Sequence, residues 1–385
     1  MNNKPAKLIF TGDIGFDRYM DGTWADEHLL SDDILDFFAS ADYRIANVEG
    51  AVADPDKVEH TKGFFFHVMN PKAVEFTRRI NTTYWNINNN HIMDGGLAGI
   101  KSTMQIAEDE GVVTYGAGVD LEEASKPLYI DAAGGIGLIS LGYDPECVPA
   151  SENAPGCFPW SNLELIQKRI NEIKGKCRWC IITVHTGDEF CNLPLPGVRE
   201  RYLKYLEMGA DIVVGSHPHC PQNYETVGDK IVFYSLGNFI FDTDYQRAQF
   251  NTEIGMLLRL ELTDKDYSFT PMAVKLDRST KRLAQTEIPA IFTDVPAAEY
   301  DKLIPLSAKA RVKAERVRRC VMNPKVYGGY TDADWADFFA NFKDDGYICG
   351  MIGDMQYMQE WASKAENGEW KDGMPAVKAY IEEQL

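Results

Sequence analysis

The chain has 385 residues, 45% of them hydrophobic and 25% charged, which suits a globular protein with one large domain and an appendage. Its 58 acidic and 39 basic side chains give a formal charge of −19, a surface that repels phosphate backbones and excludes broad electrostatic binding of nucleic acid. No stretch approaches the roughly 20 apolar residues of a spanning helix, and Leu8-Ile9-Phe10 is too short for a signal-peptide core. The expectation is a cytoplasmic protein with no membrane anchor.

Residues 7–285 alternate apolar runs with amphipathic stretches, the pattern of an α/β domain. Strands are expected at 7–11, 43–47, 84–88 and 112–115, then at 136–141, 180–185, 211–215 and 231–235. A helix over 96–110 follows His91. Ser161-Asn162-Leu163-Glu164 has the capping-box pattern, opening a helix whose Leu163, Ile166, Ile170 and Ile173 share a face. Residues 199–208 form another, with Tyr202, Leu203 and Leu206 inward and Gly209 ending it. Runs near 254–262 and 268–276 have little between them and read as an antiparallel pair, so the sheet is mixed.

After about residue 286 the character changes. Pro289, Pro296 and Pro305 punctuate a linker-like stretch. The helix expected at 307–320 carries Lys309, Arg311, Lys313, Arg316, Arg318 and Arg319 around Glu315, and reads as a solvated face. Thr331 then caps a helix whose Trp335, Phe338, Phe339 and Phe342 make one apolar stripe, expected to pack on the main domain. A last helix spans about 374–384. The chain thus divides into a domain over 1–285 and a helical extension over 286–385 packed on it. Eight cysteines are scattered and form no dense framework, so they are expected reduced, and the lone Cys177-Arg178-Trp179-Cys180 reads as structural.

The chemistry lies at the strand ends. Gly12-Asp13, Asn47-Val48-Glu49, Asn88-Asn89-Asn90-His91, His185 and Gly215-Ser216-His217-Pro218-His219 each follow an apolar run. Strand ends on one sheet edge converge, so carboxylates, an asparagine and histidines there point to a metal centre. Two divalent cations bring a charge of +4, of which Asp13 and Glu49 cancel half. The remainder favours an anionic substrate, a small molecule or a polymer. A bridging ligand is best a carboxylate, because each oxygen can hold one ion, and Glu49 is the choice. Asn90 offers an amide oxygen, and His185, His217 and His219 offer ring nitrogens that suit manganese, iron or zinc. In extended backbone, His217 and His219 would share a face; such a pair can cap one ion or split between two. Taken singly, Asp13 is an ordinary turn residue and Asn90 an ordinary helix cap. His28, His60 and His67 lack such a context and read as surface or structural residues.

Thr11-Gly12-Asp13, Asn47-Val48-Glu49-Gly50, Asn89-Asn90-His91 with Asp94, and Gly116-Ala117-Gly118 occur in that order. His185-Thr186-Gly187-Asp188-Glu189, Gly215-Ser216-His217-Pro218-His219 and Ser235-Leu236-Gly237-Asn238-Phe239-Ile240-Phe241-Asp242 complete the series. Over about residues 7–275 the chain resembles the capsule-synthesis (CapA) family, linked to poly-γ-glutamate biosynthesis within the calcineurin-like metallophosphoesterase superfamily. The resemblance implies a four-layer α/β/β/α sandwich with mixed sheets and two divalent metal ions. It matches Asp13, Glu49, Asn90, His185, His217 and His219 to metal ligands and His91 to the catalytic histidine. Asn47, Asp94, Glu189 and Asn238 would support them, Glu189 by orienting His185. Two departures stand out: the superfamily's Asp-x-His opening reads Asp13-Ile14-Gly15, and Thr186 stands where the family often has tryptophan. The function implied is metal-dependent hydrolysis of a phosphoester. The alternatives are hydrolysis of the γ-glutamyl polymer, or a non-catalytic accessory or polymer-binding role in its synthesis or export.

Overall fold

The computed structural model describes residues 2–61, 66–341, 355–356, 360 and 369–385. In chain order the strands of the two large sheets begin with β1 (Ala6–Ile14), β2 (Tyr43–Val48), β3 (Tyr84–Asn86), β4 (Val113–Tyr115), β5 (Leu128–Ile130), β6 (Ile136–Gly142) and β7 (Trp179–His185). They are followed by β8 (Ile212–Ser216), β9 (Tyr224–Val227), β10 (Lys230–Phe233), β11 (Asn238–Ile240), β12 (Ile254–Leu262), β13 (Tyr267–Asp277) and β14 (Arg282–Thr286). The longer helices are α1 (Asp32–Ala39), α2 (Val74–Arg79), α3 (Gly96–Asp109), α4 (Leu163–Lys174), α5 (Pro196–Met208), α6 (Ala297–Met322), α7 (Asp332–Asn341) and α8 (Met374–Glu382).

The strands form two large sheets. One has the order β14-β13-β12-β1-β2-β3-β4, with β11 also paired to β1; the other runs β9-β10-β8-β7-β6-β5. Strands β1 to β4 are parallel, and so are β6, β7, β8 and β10. The added strands β12 to β14 and β5 and β9 pair antiparallel. Both sheets are therefore mixed.

Alternation along single strands decides the layering, because successive side chains point to opposite faces. In β1, Leu8 and Phe10 enter a core with Ile181 and Leu138 of the other sheet, while Ile9 enters one with Ile34 of α1, Phe76 of α2 and Ile100 of α3. In β7, Ile181 faces the first sheet, while Cys180, Ile182 and Val184 face Ile166 and Ile170 of α4 and Tyr202 of α5. Helices thus cover both outer faces, which is the four-layer α/β/β/α sandwich. The parallel strands bring their C-terminal ends to one edge. There, a side chain on residue 12 is impossible: a Cβ on Gly12 would stand 2.0 Å from the carbonyl oxygen of Gly237. That close approach lets Asp13 N–H donate to Gly237 O at 2.9 Å.

Several local expectations are corrected. The helix cap is Asn162, whose Oδ1 accepts from Leu165 N–H at 3.2 Å, and not Ser161, which bonds Asp144. Leu163 consequently stays exposed. On α5, Tyr205 is buried inward and Leu203 only partly, because the two neighbouring tyrosines fill the space over the sheet. Strands β5, β9, β11 and β14, three to five residues long, were not expected. Cys177 and Cys180 are buried in the apolar layer beneath α4 and α5.

The extension differs most. Pro305 does not break a linker but lies inside α6, which starts ten residues earlier than the basic run suggests. Burial of Tyr300, Leu303, Ile304 and Ala308 with Met374, Val377 and Ile381 of α8 outweighs the lost helical hydrogen bond. The face of α6 is not simply solvated. Arg311 is buried with its guanidinium 2.7 Å from Asp188, and Glu315 is buried against Arg319 at 2.6 Å. Tyr300 OH donates to Pro194 O at 2.7 Å, so α6 lies over the loop that carries Glu189. On α7, Trp335 packs on Tyr327, Tyr330, Phe338 and Phe339, a cluster within the extension itself. Phe342 lies outside the described residues. Among the described residues, no helix is long and apolar enough to cross a membrane.

Candidate metal centre

Each expected ligand sits at or just beyond the C-terminal end of a parallel strand, where the backbone leaves the sheet. Asp13 is the last residue but one of β1, Glu49 follows β2, Asn90 follows β3, His185 ends β7, and His217 and His219 follow β8. The structure brings all six together, and all are buried. Asp13, Glu49 and His219 present ligand atoms within 4.8 Å of one another; so do Glu49, His185 and His217. Glu49 is common to both groups. Its Oε1 is 3.7 Å from His219 Nε2 and 3.9 Å from His185 Nε2. Asn90 Oδ1 is 3.0 Å from His185 Nε2.

The His-Pro-His segment is not extended. His217 (φ 99°) and His219 (φ 57°) both take the left-handed conformation, which side chains beyond glycine rarely adopt. The strain divides the two rings. His217 Nδ1 lies 3.2 Å from His185 Nε2, whereas His219 Nδ1 faces Asp13 Oδ2 at 3.4 Å.

Supporting residues set the orientation. Asn47 Nδ2 donates to Asp13 Oδ1 at 2.6 Å, and Asn86 Nδ2 donates to Asn47 Oδ1 at 2.9 Å. Asn238 Oδ1 is 2.9 Å from His219 Nδ1, which leaves Nε2 as the nitrogen that could hold an ion. His91 Nδ1 is 2.7 Å from Asp94 Oδ2. Glu189, expected to orient His185, lies 4.0 Å from His219 Nε2 and forms a third group of candidate ligands with His217 and His219.

The electrostatics follow from burial. Desolvation pushes the Glu49 carboxyl up to about 8, against the pull of His219. Burial disfavours a charged His217, yet Glu146, 2.8 Å from Nε2, outweighs it and lifts the ring to about 9. Burial likewise opposes charge on His219, and Glu49 and Asp13 lift it to about 10. Burial would raise Glu189, but Arg318, His217 and His219 hold it below its ordinary value.

Do these residues fit divalent cations? Both oxygens of Glu49 are buried and have no hydrogen-bond partner, an arrangement that is costly unless a cation completes it. Carboxylates, an amide and imidazoles are the donor set of manganese, iron and zinc. The residues fit two ions sharing Glu49.

Sequence reasoning missed four contributors. His67, read as surface or structural, has its ring 4.2 Å from that of His91. Glu146 reaches His217 from beyond β6. Arg318 of α6 acts on Glu189. Phe241 packs directly on Gly15, the position at which the resemblance leads one to expect a histidine: a Cβ on Gly15 would stand 2.2 Å from its ring. Only the Phe241 motif left a mark in the sequence, as part of the Ser235–Asp242 run; the others come from segments without a pattern of their own.

Comparison with known proteins places the chain in a family. Residues 7–243 match the family described as bacterial capsule synthesis protein PGA_cap. The PGA biosynthesis protein CapA of Bacillus subtilis (strain 168) is 29% identical over 282 residues, which is 70% of this chain and 73% of that protein. The capsule biosynthesis protein CapA of Bacillus anthracis is 27% identical over 258 residues, 64% of this chain and 62% of its own length. A crystal structure of a hypothetical protein from Thermus thermophilus aligns at a TM-score of 0.44 and 13% identity, covering 70% of this chain and 99% of that one.

Proposed function

The chain belongs to the bacterial capsule synthesis protein family PGA_cap, and from that premise we propose that it is a metal-dependent hydrolase of an anionic substrate, in the first place a phosphoester. The observation that carries the reading is Glu49, buried without a hydrogen-bond partner between two groups of ligand atoms. Asp13, Glu49 and His219 would hold one ion; Glu49, Asn90, His185 and His217 would hold the other. Manganese, iron or zinc, when bound, supplies Lewis acidity and makes water nucleophilic near neutral pH.

The chain's own residues do the rest. Asn47 and Asn86 keep the Asp13 carboxylate in one orientation. Asn238 fixes the tautomer of His219. His91, braced at Nδ1 by Asp94, donates a proton to the leaving oxygen. Burial of the ligands excludes bulk water and strengthens each of these contacts. A cytoplasmic location is part of the same proposal, in line with cysteines scattered along the chain without a dense framework.

The test is metal content together with hydrolysis of an aryl phosphate. Wild-type protein should carry two ions and turn over. Asp13→Ala should lose metal; His91→Ala should keep it and lose about 10²- to 10⁴-fold in kcat. Undiminished turnover in both variants would sink the assignment.

A second reading is supported by the relatives' names, PGA biosynthesis and capsule biosynthesis protein. It is an accessory or polymer-binding role in poly-γ-glutamate synthesis, or hydrolysis of that polymer. Retention of poly-γ-glutamate without cleavage, by a protein inert to aryl phosphates, would favour the accessory form; shortened polymer would favour the hydrolytic one.

A further inference from the structure

His67 occupies a part of the centre for which the proposed reaction has no use. It immediately precedes Val68, and its Nδ1 is hydrogen-bonded to Asp17 Oδ2, three residues beyond β1. Its backbone N–H donates to Asp94 Oδ2 at 3.0 Å. The same oxygen is 2.7 Å from His91 Nδ1. One carboxylate oxygen therefore anchors the backbone of one histidine and the ring of the other. The two imidazoles meet edge to face, their centroids 4.2 Å apart. Phe241 walls the far side, 5.2 Å from His67 and 5.2 Å from His219. Gly50, next to Glu49, has φ 105°, and a Cβ there would stand 2.7 Å from the carbonyl oxygen of His67. The turn carrying the shared ligand is thus folded directly against this histidine.

Two observations define what the residue can do. Only 13% of the His67 side chain and 14% of the Asp17 side chain is exposed, so this is an ordered, largely desolvated pair and not a surface one. His67 belongs to none of the three groups of ligand atoms that lie within 4.8 Å of one another, each of which includes His217 or His219. That argues against a ligand role. The Asp17 carboxylate accepts from Nδ1–H, so Nε2 is the ring atom left to meet a guest; it donates to an anion as the imidazolium, and as the neutral ring it accepts from a protonated anion oxygen. In a chain of formal charge −19, each local donor that faces an anion matters.

We propose that His67, oriented by Asp17, is a second imidazole that hydrogen-bonds the anionic group of the substrate beside His91. The identity of that anion rests on the hydrolase reading; the contact itself does not require turnover. The test is isothermal titration of manganese-loaded protein with inorganic phosphate, with metal content measured on the same samples. His67→Ala should weaken phosphate binding about ten- to a hundredfold at unchanged metal content. His67→Gln, whose amide still donates, should lose affinity by a smaller factor, and it carries the test alone if the alanine variant does not fold. Wild-type affinity in the variant that folds overturns the proposal. So does loss of metal from His67→Gln, which would make the residue a ligand, and so does a wild-type protein that binds no phosphate. Phosphate held through His67 without any hydrolysis would sink the hydrolase reading and keep this one; hydrolysis with unchanged phosphate affinity in the variants would do the reverse.

Discussion

Placing a histidine at residue 15 would create the Asp-x-His pattern that the sequence resemblance leads one to expect there, and the packing sets what that would cost. The new Cβ would stand 2.2 Å from Cε2 and 2.3 Å from Cδ2 of Phe241, where carbon atoms normally keep about 3.5–4.0 Å. The backbone cannot retreat, because Gly15 N–H donates to Ile240 O at 2.6 Å. Nor can the ring swing away easily: Phe241 is buried, with the rings of His67 and His219 each 5.2 Å off. Gly15→His should therefore cost about 3 kcal/mol, the upper end for overpacking. Phe241→Ala alone opens a cavity and should cost about 3–5 kcal/mol. Independent effects would sum to about 6–8 kcal/mol. If the imidazole fills the space the ring vacates, the double variant should fall short of that sum by about 1–3 kcal/mol. Urea denaturation of the four metal-free proteins measures the cycle. The double variant should also bind manganese more tightly than Phe241→Ala. A Gly15→His protein within about 0.5 kcal/mol of wild type, or strict additivity, would show that Phe241 does not occupy the histidine's place.

Two further outcomes are expected. In the metal-free protein, the His217 and His219 rings are lifted to about 9 and 10, above their ordinary value, so both carry a proton at pH 7. Their contribution to stability is complete below about 6.5 and is lost as pH rises through 9 and 10. Metal must displace these protons and that of the Glu49 carboxyl, lifted to about 8, so apparent affinity should climb about tenfold per proton per pH unit, or about a thousandfold between pH 6 and 7 for the two ions taken together. Calorimetry in buffers of different ionisation heat should register two or more protons released, and none released would contradict the assignment. Away from the centre, Arg199 makes paired contacts of 2.8 and 2.5 Å to buried Glu225, which also accepts from Tyr234 at 2.8 Å. Glu225→Gln leaves the guanidinium without its counter-charge and should destabilise by about 3–5 kcal/mol, read as a lower urea midpoint; an unchanged midpoint refutes it.

The six ligand candidates were legible because each follows an apolar run, and parallel strands carry their ends to one edge whatever the detail of packing. The same regularity made the paired sheets and the helices α3, α4 and α5 readable, since their burial repeats with the period of the backbone. Boundaries within the extension were less legible: the prolines and the basic run of α6 masked a helix held by Tyr300, Leu303 and Ile304. What tertiary structure alone decided is the company around the ligands. Asp94 draws His67 in from a segment without periodicity, Phe241 takes the room that Gly15 vacates, and Arg311 of the extension reaches back to Asp188 in the main domain. Those contacts depend on how separate segments come to rest on one another, and neither a period nor a spacing along the chain records that.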